Sequence, residues 1–176
     1  MVKIRGLRPE DAEDLEEVTR RSWIEGQEDF LTDEEISTAR DSEVFEKTEE
    51  GIKEKRDSDK SIILVAEEDD RVVGRIRFSW DTDAHNFVED EVQLRSLYVH
   101  PDYWRQGIAT KLQEEGLLRI PDGFNSVVVE VFEANEEAVK FYRDTGFEKY
   151  DTDSLGPKDI DLLNEERKTL RMRRKI

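Results

Sequence analysis

Cysteine is absent from the 176 residues, which excludes a disulfide framework, a thiolate zinc site and a cysteine nucleophile. Two histidines, His85 and His100, leave little for a histidine metal centre, and none is expected. No apolar run approaches the ~18 residues of a membrane span, and Met1-Val2-Lys3-Ile4-Arg5 has no apolar signal core. The expectation is a soluble, cytoplasmic protein without membrane contact. Basic residues are scarce: 28 Lys and Arg stand against 45 Asp and Glu, a formal net charge of −17. Phosphate neutralisation needs clustered Lys and Arg, so no nucleic-acid partner is expected. The one basic cluster, Arg171 to Lys175, falls in the alternating stretch Thr169-Leu170-Arg171-Met172-Arg173. It reads as the outer face of a terminal strand.

The acid is spread over nearly every segment instead of forming a tail. Uniform negative charge keeps a chain soluble by self-repulsion, at a cost in stability that salt screens. Adaptation to a salty cytoplasm is the preferred account, and attraction of a cationic substrate is the alternative. Although 41% of residues are charged, 35% are hydrophobic, and they recur with helix and strand periods. Residues 1–176 therefore read as one folded domain, without internal repeat, linker or low-complexity tract.

Ile4 to Arg8 predicts a first strand. Pro9-Glu10-Asp11 opens a helix with proline in its first turn and acid at its positive end; Ala12, Leu15 and Val18 form its stripe, with Trp23 just beyond. A second helix is expected over Asp33 to Arg56, with Ile36, Phe45 and Ile52 inward. Ser61 to Ala66 and Val72 to Trp80 form a hairpin about Glu68-Asp69-Asp70-Arg71. A polar loop, Asp81 to Asp90, precedes a strand from Glu91 to Val99. The pattern then alternates. A helix with Ile108, Ala109, Leu112, Gly116 and Leu117 follows, then a strand from Ser126 to Phe132. Asn135 opens a helix ending at Gly146 in a left-handed stop. Phe147 to Tyr150 and Lys168 to Arg174 read as the last strands. The expected fold is α/β: a mixed central sheet with an antiparallel N-terminal meander, a βαβ-like unit and a C-terminal strand pair.

Trp104-Arg105-Gln106-Gly107-Ile108-Ala109 joins a strand to a helix N-terminus. Backbone N–H groups there lack intrahelical partners, and small residues at 107 and 109 let an anion approach closely. Taken alone, such a glycine serves turn geometry as readily as phosphate binding. Neither Gly-x-Gly-x-x-Gly nor a lysine-bearing phosphate loop is present, which weighs against dinucleotide binding and nucleotide hydrolysis. No Gly-x-Ser-x-Gly elbow supports a hydrolase either.

The stretch Leu94 to Ala109, followed by Asn135 to Phe147, resembles the two successive motifs of the GNAT acetyltransferase superfamily. The resemblance is specific from Glu91 to Phe147 and implies the GNAT fold, with acetyl-CoA as cosubstrate and an amine acceptor, either a small molecule or a protein or peptide amine. In the family pattern (Gln/Arg)-x-x-Gly-x-(Gly/Ala), Trp104 is a departure at the first position. The implied cofactor-binding residues are Leu97 and Val99 on the strand edge, Arg105, Gln106, Gly107, Ile108, Ala109 and Thr110 in the loop, and Asn135 and Tyr142. Asn135 reads equally as a plain helix cap. Many relatives are homodimers, so a homodimer is implied too, with no interface identified. Acceptor selectivity in the superfamily points to Asp11–Arg56 and Asp151–Arg167, the least diagnostic parts of the chain.

Acetyl transfer to an amine needs a base for the amine and an acid for the leaving thiolate. By resemblance, Tyr142 is the acid and Glu130 the base. From the residues alone, Tyr142 is also a core tyrosine on a helix stripe, and Glu130 interrupts an apolar strand where it must face a wet cleft or a structural partner. Glu91 is the second base candidate, and a base acting through ordered water is a third. His100 reads as structural or exposed, and His85 as a solvated loop residue near the substrate cleft. The reading is an N-acetyltransferase, with two alternatives: an acyl-CoA-binding module without turnover, and a transferase using a longer acyl donor.

Overall fold

The computed structural model describes residues 1–81 and 88–176. His85 lies outside the described residues. Among the described residues, seven strands form one sheet in the order β1-β2-β3-β4-β5-β7-β6. They are β1 Lys3–Gly6, β2 Ser61–Glu68, β3 Arg71–Ser79, β4 Glu91–Val99, β5 Ser126–Phe132, β6 Glu148–Leu155 and β7 Arg167–Lys175. The first four run as an antiparallel meander, β4 and β5 are parallel, and β7 pairs antiparallel with both β5 and β6. This is the α/β fold with a mixed sheet expected above.

The terminal strand is not at the sheet's edge. In β7, Thr169, Leu170 and Met172 are buried, whereas β6 is exposed along nearly its whole length. Apolar content therefore places β7 inside, and the charged β6 takes the edge, where charge deters pairing with other chains. The arginines of β7 are correspondingly engaged: Arg171 pairs with Asp153 and Arg173 with Glu91.

Among the described residues, five α-helices flank the sheet: α1 Ala12–Glu25, α2 Asp33–Asp41, α3 Glu49–Arg56, α4 Ile108–Leu117 and α5 Glu136–Asp144. Trp23 lies within α1, not beyond it. The single helix expected over Asp33 to Arg56 is broken in two. Ser42 turns extended and its hydroxyl accepts from the Val44 amide at 3.1 Å, and Thr48 caps α3 by accepting from the Gly51 amide at 3.1 Å. Side-chain oxygens that satisfy backbone donors compete with continued helix. The break turns Phe45 into the core, 6.0 Å from the Trp23 ring.

Helix α4 lies on one face of the sheet and α1 on the other. Beneath α4, Gly116 permits an unusually close approach: a Cβ there would sit 2.3 Å from Phe78 Cε2. The chain after β6 is fastened to α2. Glu35, 1% exposed, accepts from the Thr32 amide at 2.9 Å, from the Asn164 amide at 3.1 Å and from Arg167.

Candidate active site

β4 and β5 begin side by side and then part. They pair only from Glu91↔Ser126 to Gln93↔Val128. Beyond Gln93, β4 remains bonded to β3 and β5 to β7, so their facing edges carry no strand partner. A bulge at Arg95 shifts the β3–β4 register, with Phe78 opposite Leu94 and Arg77 opposite Ser96. Bulges bend the strand that holds them. The resulting cleft has a volume of about 850 Å³.

Above β4 the backbone turns through Pro101–Tyr103, fastened to its surroundings by several hydrogen bonds. The His100 amide donates to Val73 O at 2.8 Å, the Asp102 amide to His100 Nδ1 at 3.2 Å, and Trp104 Nε1 to Val99 O at 2.7 Å. His100 is thus a buried structural residue. Trp104, the departure from the family pattern, caps a β4 carbonyl. Arg105 and Gly107 both adopt left-handed backbone, with φ of 61° and 78°. That conformation comes at no steric cost for glycine and at roughly 1–2 kcal/mol for a residue with a Cβ.

The helical ladder of α4 starts with the Lys111 amide donating to Gly107 O at 3.1 Å, so the amides of Ile108, Ala109 and Thr110 precede it. All three residues line the cleft. α4 has no acid in its first turn and no side-chain cap, whereas α1, α2, α3 and α5 each begin with two or more acids. In so acidic a chain, this one helix start leaves its positive end open to an anion. Arg105 reaches across to Glu137 at 3.0 Å, both side chains being exposed.

Tyr142 lies deeper, 7% exposed, with its ring edge-on to Phe141 at 5.3 Å and Phe147 at 5.4 Å. Burial, and secondarily Tyr98, push its phenol well above the usual range, so it keeps its proton. Its hydroxyl has no hydrogen-bond partner among the described residues. Glu130 is exposed on the β5 wall, where Thr169 Oγ1 donates to its Oε2 at 2.6 Å. Asn135 caps α5 by accepting from the Ala138 amide at 3.1 Å.

The cleft is lined by Leu97, Val99, Arg105, Gly107, Ile108, Ala109, Thr110, Glu130, Asn135 and Tyr142 together. Gln106 is exposed and does not line it. Glu91 does not either: it sits at the paired end of β4, accepting from Ser126 Oγ at 3.2 Å and from Arg173 Nε at 2.6 Å. The residue reading missed Tyr98, although strand alternation places it opposite Leu97 and Val99. It also did not single out Trp23 and Gln27 from α1 or Leu155 and Ile160 from the C-terminal segment, which close the far side.

The sequence profile described as the acetyltransferase (GNAT) family matches residues 16–147. The chain belongs to the GNAT acetyltransferase family. Solved GNAT-type structures share its fold. PaiA N-acetyltransferase from Thermoplasma acidophilum, determined in complex with coenzyme A, is 24% identical with a TM-score of 0.75, covering 100% of this chain and 99% of that one. A GNAT acetyltransferase from Streptococcus pneumoniae is 21% identical with a TM-score of 0.72, covering 100% of both chains. The ribosomal-protein-alanine N-acetyltransferase from Escherichia coli is 18% identical with a TM-score of 0.65, covering 100% of this chain and 94% of that one. No curated protein sequence matches. Among the described residues, no helix is long and apolar enough to cross a membrane, and no cluster of His, Cys, Asp and Glu could hold a metal ion.

Proposed function

We propose that this GNAT protein is an N-acetyltransferase that moves acetyl from acetyl-CoA directly to a primary amine. The observation that carries the reading is the parting of β4 and β5, which brings an open strand edge, an acid-free helix start, a protonated phenol and an exposed carboxylate into one cleft. Acetyl-CoA, when bound, supplies the acetyl group as a thioester. The free edge at Leu97 and Val99 suits pairing with an extended amide-bearing arm, and the unladdered amides of Ile108, Ala109 and Thr110 suit a pyrophosphate. Glu130, whose Oε1 has no described partner, takes a proton from the acceptor amine, directly or through water. Tyr142 holds the proton that the leaving sulfur requires. Asn135 combines its capping role with a place on the cofactor side.

The test is calorimetric titration with acetyl-CoA, joined to a thiol-release screen over an amine library. Gly107→Glu, which brings bulk and negative charge to the start of α4, should abolish binding in a variant whose circular dichroism is unchanged. Equal affinity in that variant would remove the cofactor assignment. Binding with no thiol release from any amine would leave a binding module in place of an enzyme.

A further inference from the structure

The inner strands of this acidic protein carry a group of unneutralised cations. Gly74 and Phe78 of β3 face α4, so alternation sends Arg75 and Arg77 to the opposite face. There Arg75 is paired with Tyr98 and Arg77 with Ser96, beside the bulge residue Arg95. Lys47 enters from the turn before α3, with Nζ donating to Phe45 O at 2.8 Å. Lys55 of α3 lies close enough for Arg77 and Arg75 to repel it. Arg20 of α1 stacks over the Phe45 ring at 5.5 Å.

Neutralisation is what this group lacks. Arg75, Arg77, Arg95, Lys47 and Lys55 make no ion pair among the described residues, in a chain where acids outnumber bases by 45 to 28. Among the described residues, the acids that act on Lys47 and Arg77 are Glu16, which is bridged to Arg20 at 3.2 Å, and Asp81. Four buried polar atoms, Nε of Arg20, Arg75 and Arg77 and Oγ of Ser96, have no hydrogen-bond partner among the described residues. Buried unsatisfied donors are costly and rare, and like charges held together cost more. Burial first, then Arg75 and Lys55, hold Lys47 down at about 8, and burial first also lowers Lys55, Arg75 and Arg77. Lys55 and Arg95 reach solvent, whereas Arg75, Arg77 and Lys47 are partly buried, and an anion docked among them would supply the missing counter-charge.

The group adjoins the cleft. Arg95, Ser96 and Tyr98 line the cavity that also holds Glu130 and Tyr142, and Arg75 and Arg77 stand directly beside them in the sheet. We infer that the acceptor is an amine carrying a compact anionic group, a carboxylate or a phosphate, which docks on Arg75, Arg77, Arg95, Lys47 and Lys55 while its amine reaches Glu130. This deepens the acetyltransferase reading and rests on it. It makes polyamines and aminoglycosides poor acceptors despite the net charge of −17, because the local cation group and not the distant surface meets the substrate.

Two measurements test it. The first is thiol release with matched acceptors: amino acids against their amides, phosphoethanolamine against ethanolamine, and spermidine. Turnover should favour the anionic member of at least one pair, and which pair responds separates carboxylate from phosphate. Arg77→Gln and Lys47→Gln, two variants in case either fails to fold, should raise the acceptor KM by ~10- to 100-fold, as expected for losing a charge-assisted hydrogen bond. Both should leave kcat and acetyl-CoA affinity within a few-fold. The second measurement needs no activity. At fixed ionic strength, inorganic phosphate or succinate in place of chloride should raise the melting temperature of the parent by more than that of these variants, which keep the α4 anion site and the general salt effect. Spermidine turned over better than every anionic acceptor would overturn the inference while leaving the acetyltransferase standing. Phosphate and succinate shifting the parent and the variants equally, or shifting neither of them, would overturn the anion site, whether or not any amine is acetylated.

Discussion

Gly116→Ala should destabilise the protein, and the same substitution should become stabilising once Phe78 is shortened. The Cβ would sit 2.3 Å from Phe78 Cε2, with Cδ2 at 3.1 Å and Cζ at 3.3 Å. Carbon atoms pack best at about 3.5–4.0 Å, so helix and ring must separate by more than 1 Å. Phe78 is 0% exposed and has no free space to turn into. Overpacking of this kind costs about 1–3 kcal/mol, and alanine's better helix propensity returns about 1 kcal/mol. The net loss is about 0–2 kcal/mol, or up to about 8 °C in melting temperature for a chain of this size. In a Phe78→Leu background the clash is gone and only the ~1 kcal/mol propensity gain remains. Urea titration of the four proteins measures the coupling. Equal effects of Gly116→Ala in both backgrounds would refute the close-approach argument. The shift has a second readout, since α4 begins at the cleft: the helix start should move with it and weaken CoA binding.

Tyr142→Phe keeps the ring contacts with Phe141 and Phe147 but removes the proton; kcat should fall ~10²-fold or more with acetyl-CoA Kd within a few-fold, and an unchanged kcat would sink the acid role. Glu35 is pushed up by burial, yet the Thr32 and Asn164 amides and Arg167 bring its carboxyl below the ordinary value. A lowered folded pKa gives stability that is present above the unfolded value of about 4.3 and lost as pH falls through the folded one. Glu35→Gln should therefore cost about 3 kcal/mol at neutral pH, with the gap from the parent closing below about pH 4 in urea titrations. Salt should raise the melting temperature up to molar concentrations, where the screening length falls to ~3 Å; a flat response would remove self-repulsion as a significant cost.

The ends of β4 and β5 at Glu91, Val99, Ser126 and Phe132 were legible because turn residues flank apolar runs, whereas the bulge at Arg95 had no local signal. Asn135 and Gly146 marked the ends of α5 by chemistry that acts within a few residues. What escaped was set by distant partners. Ser42 and Thr48 interrupt a run with helical period, and only the pull of Phe45 toward Trp23 shows why the interruption wins. β6 extends to Leu155 because β7 lies beside it, not because its own residues, largely charged, prefer a strand. Within the site, the loop and the α5 motif were legible as local strings, whereas the group around Arg75 draws on α1, α3, β3 and β4 and has no spacing to recognise. Glu91 shows the same limit in reverse: its candidacy came from its strand, and Arg173, far along the chain, accounts for it.

The inward position of β7 has a consequence for how the chain is made. β5 is synthesised about 40 residues before the strand that covers its outer edge, roughly 2–8 s at ordinary rates of translation. Through that interval, Val127, Val129 and Val131 belong to a strand with an open edge, the arrangement most prone to pairing with a neighbouring chain. Nascent copies on one messenger would meet in that state. The valine-rich centre of the sheet therefore stays vulnerable until β7 emerges, and the acid spread along the preceding segments keeps emerging chains apart in the meantime.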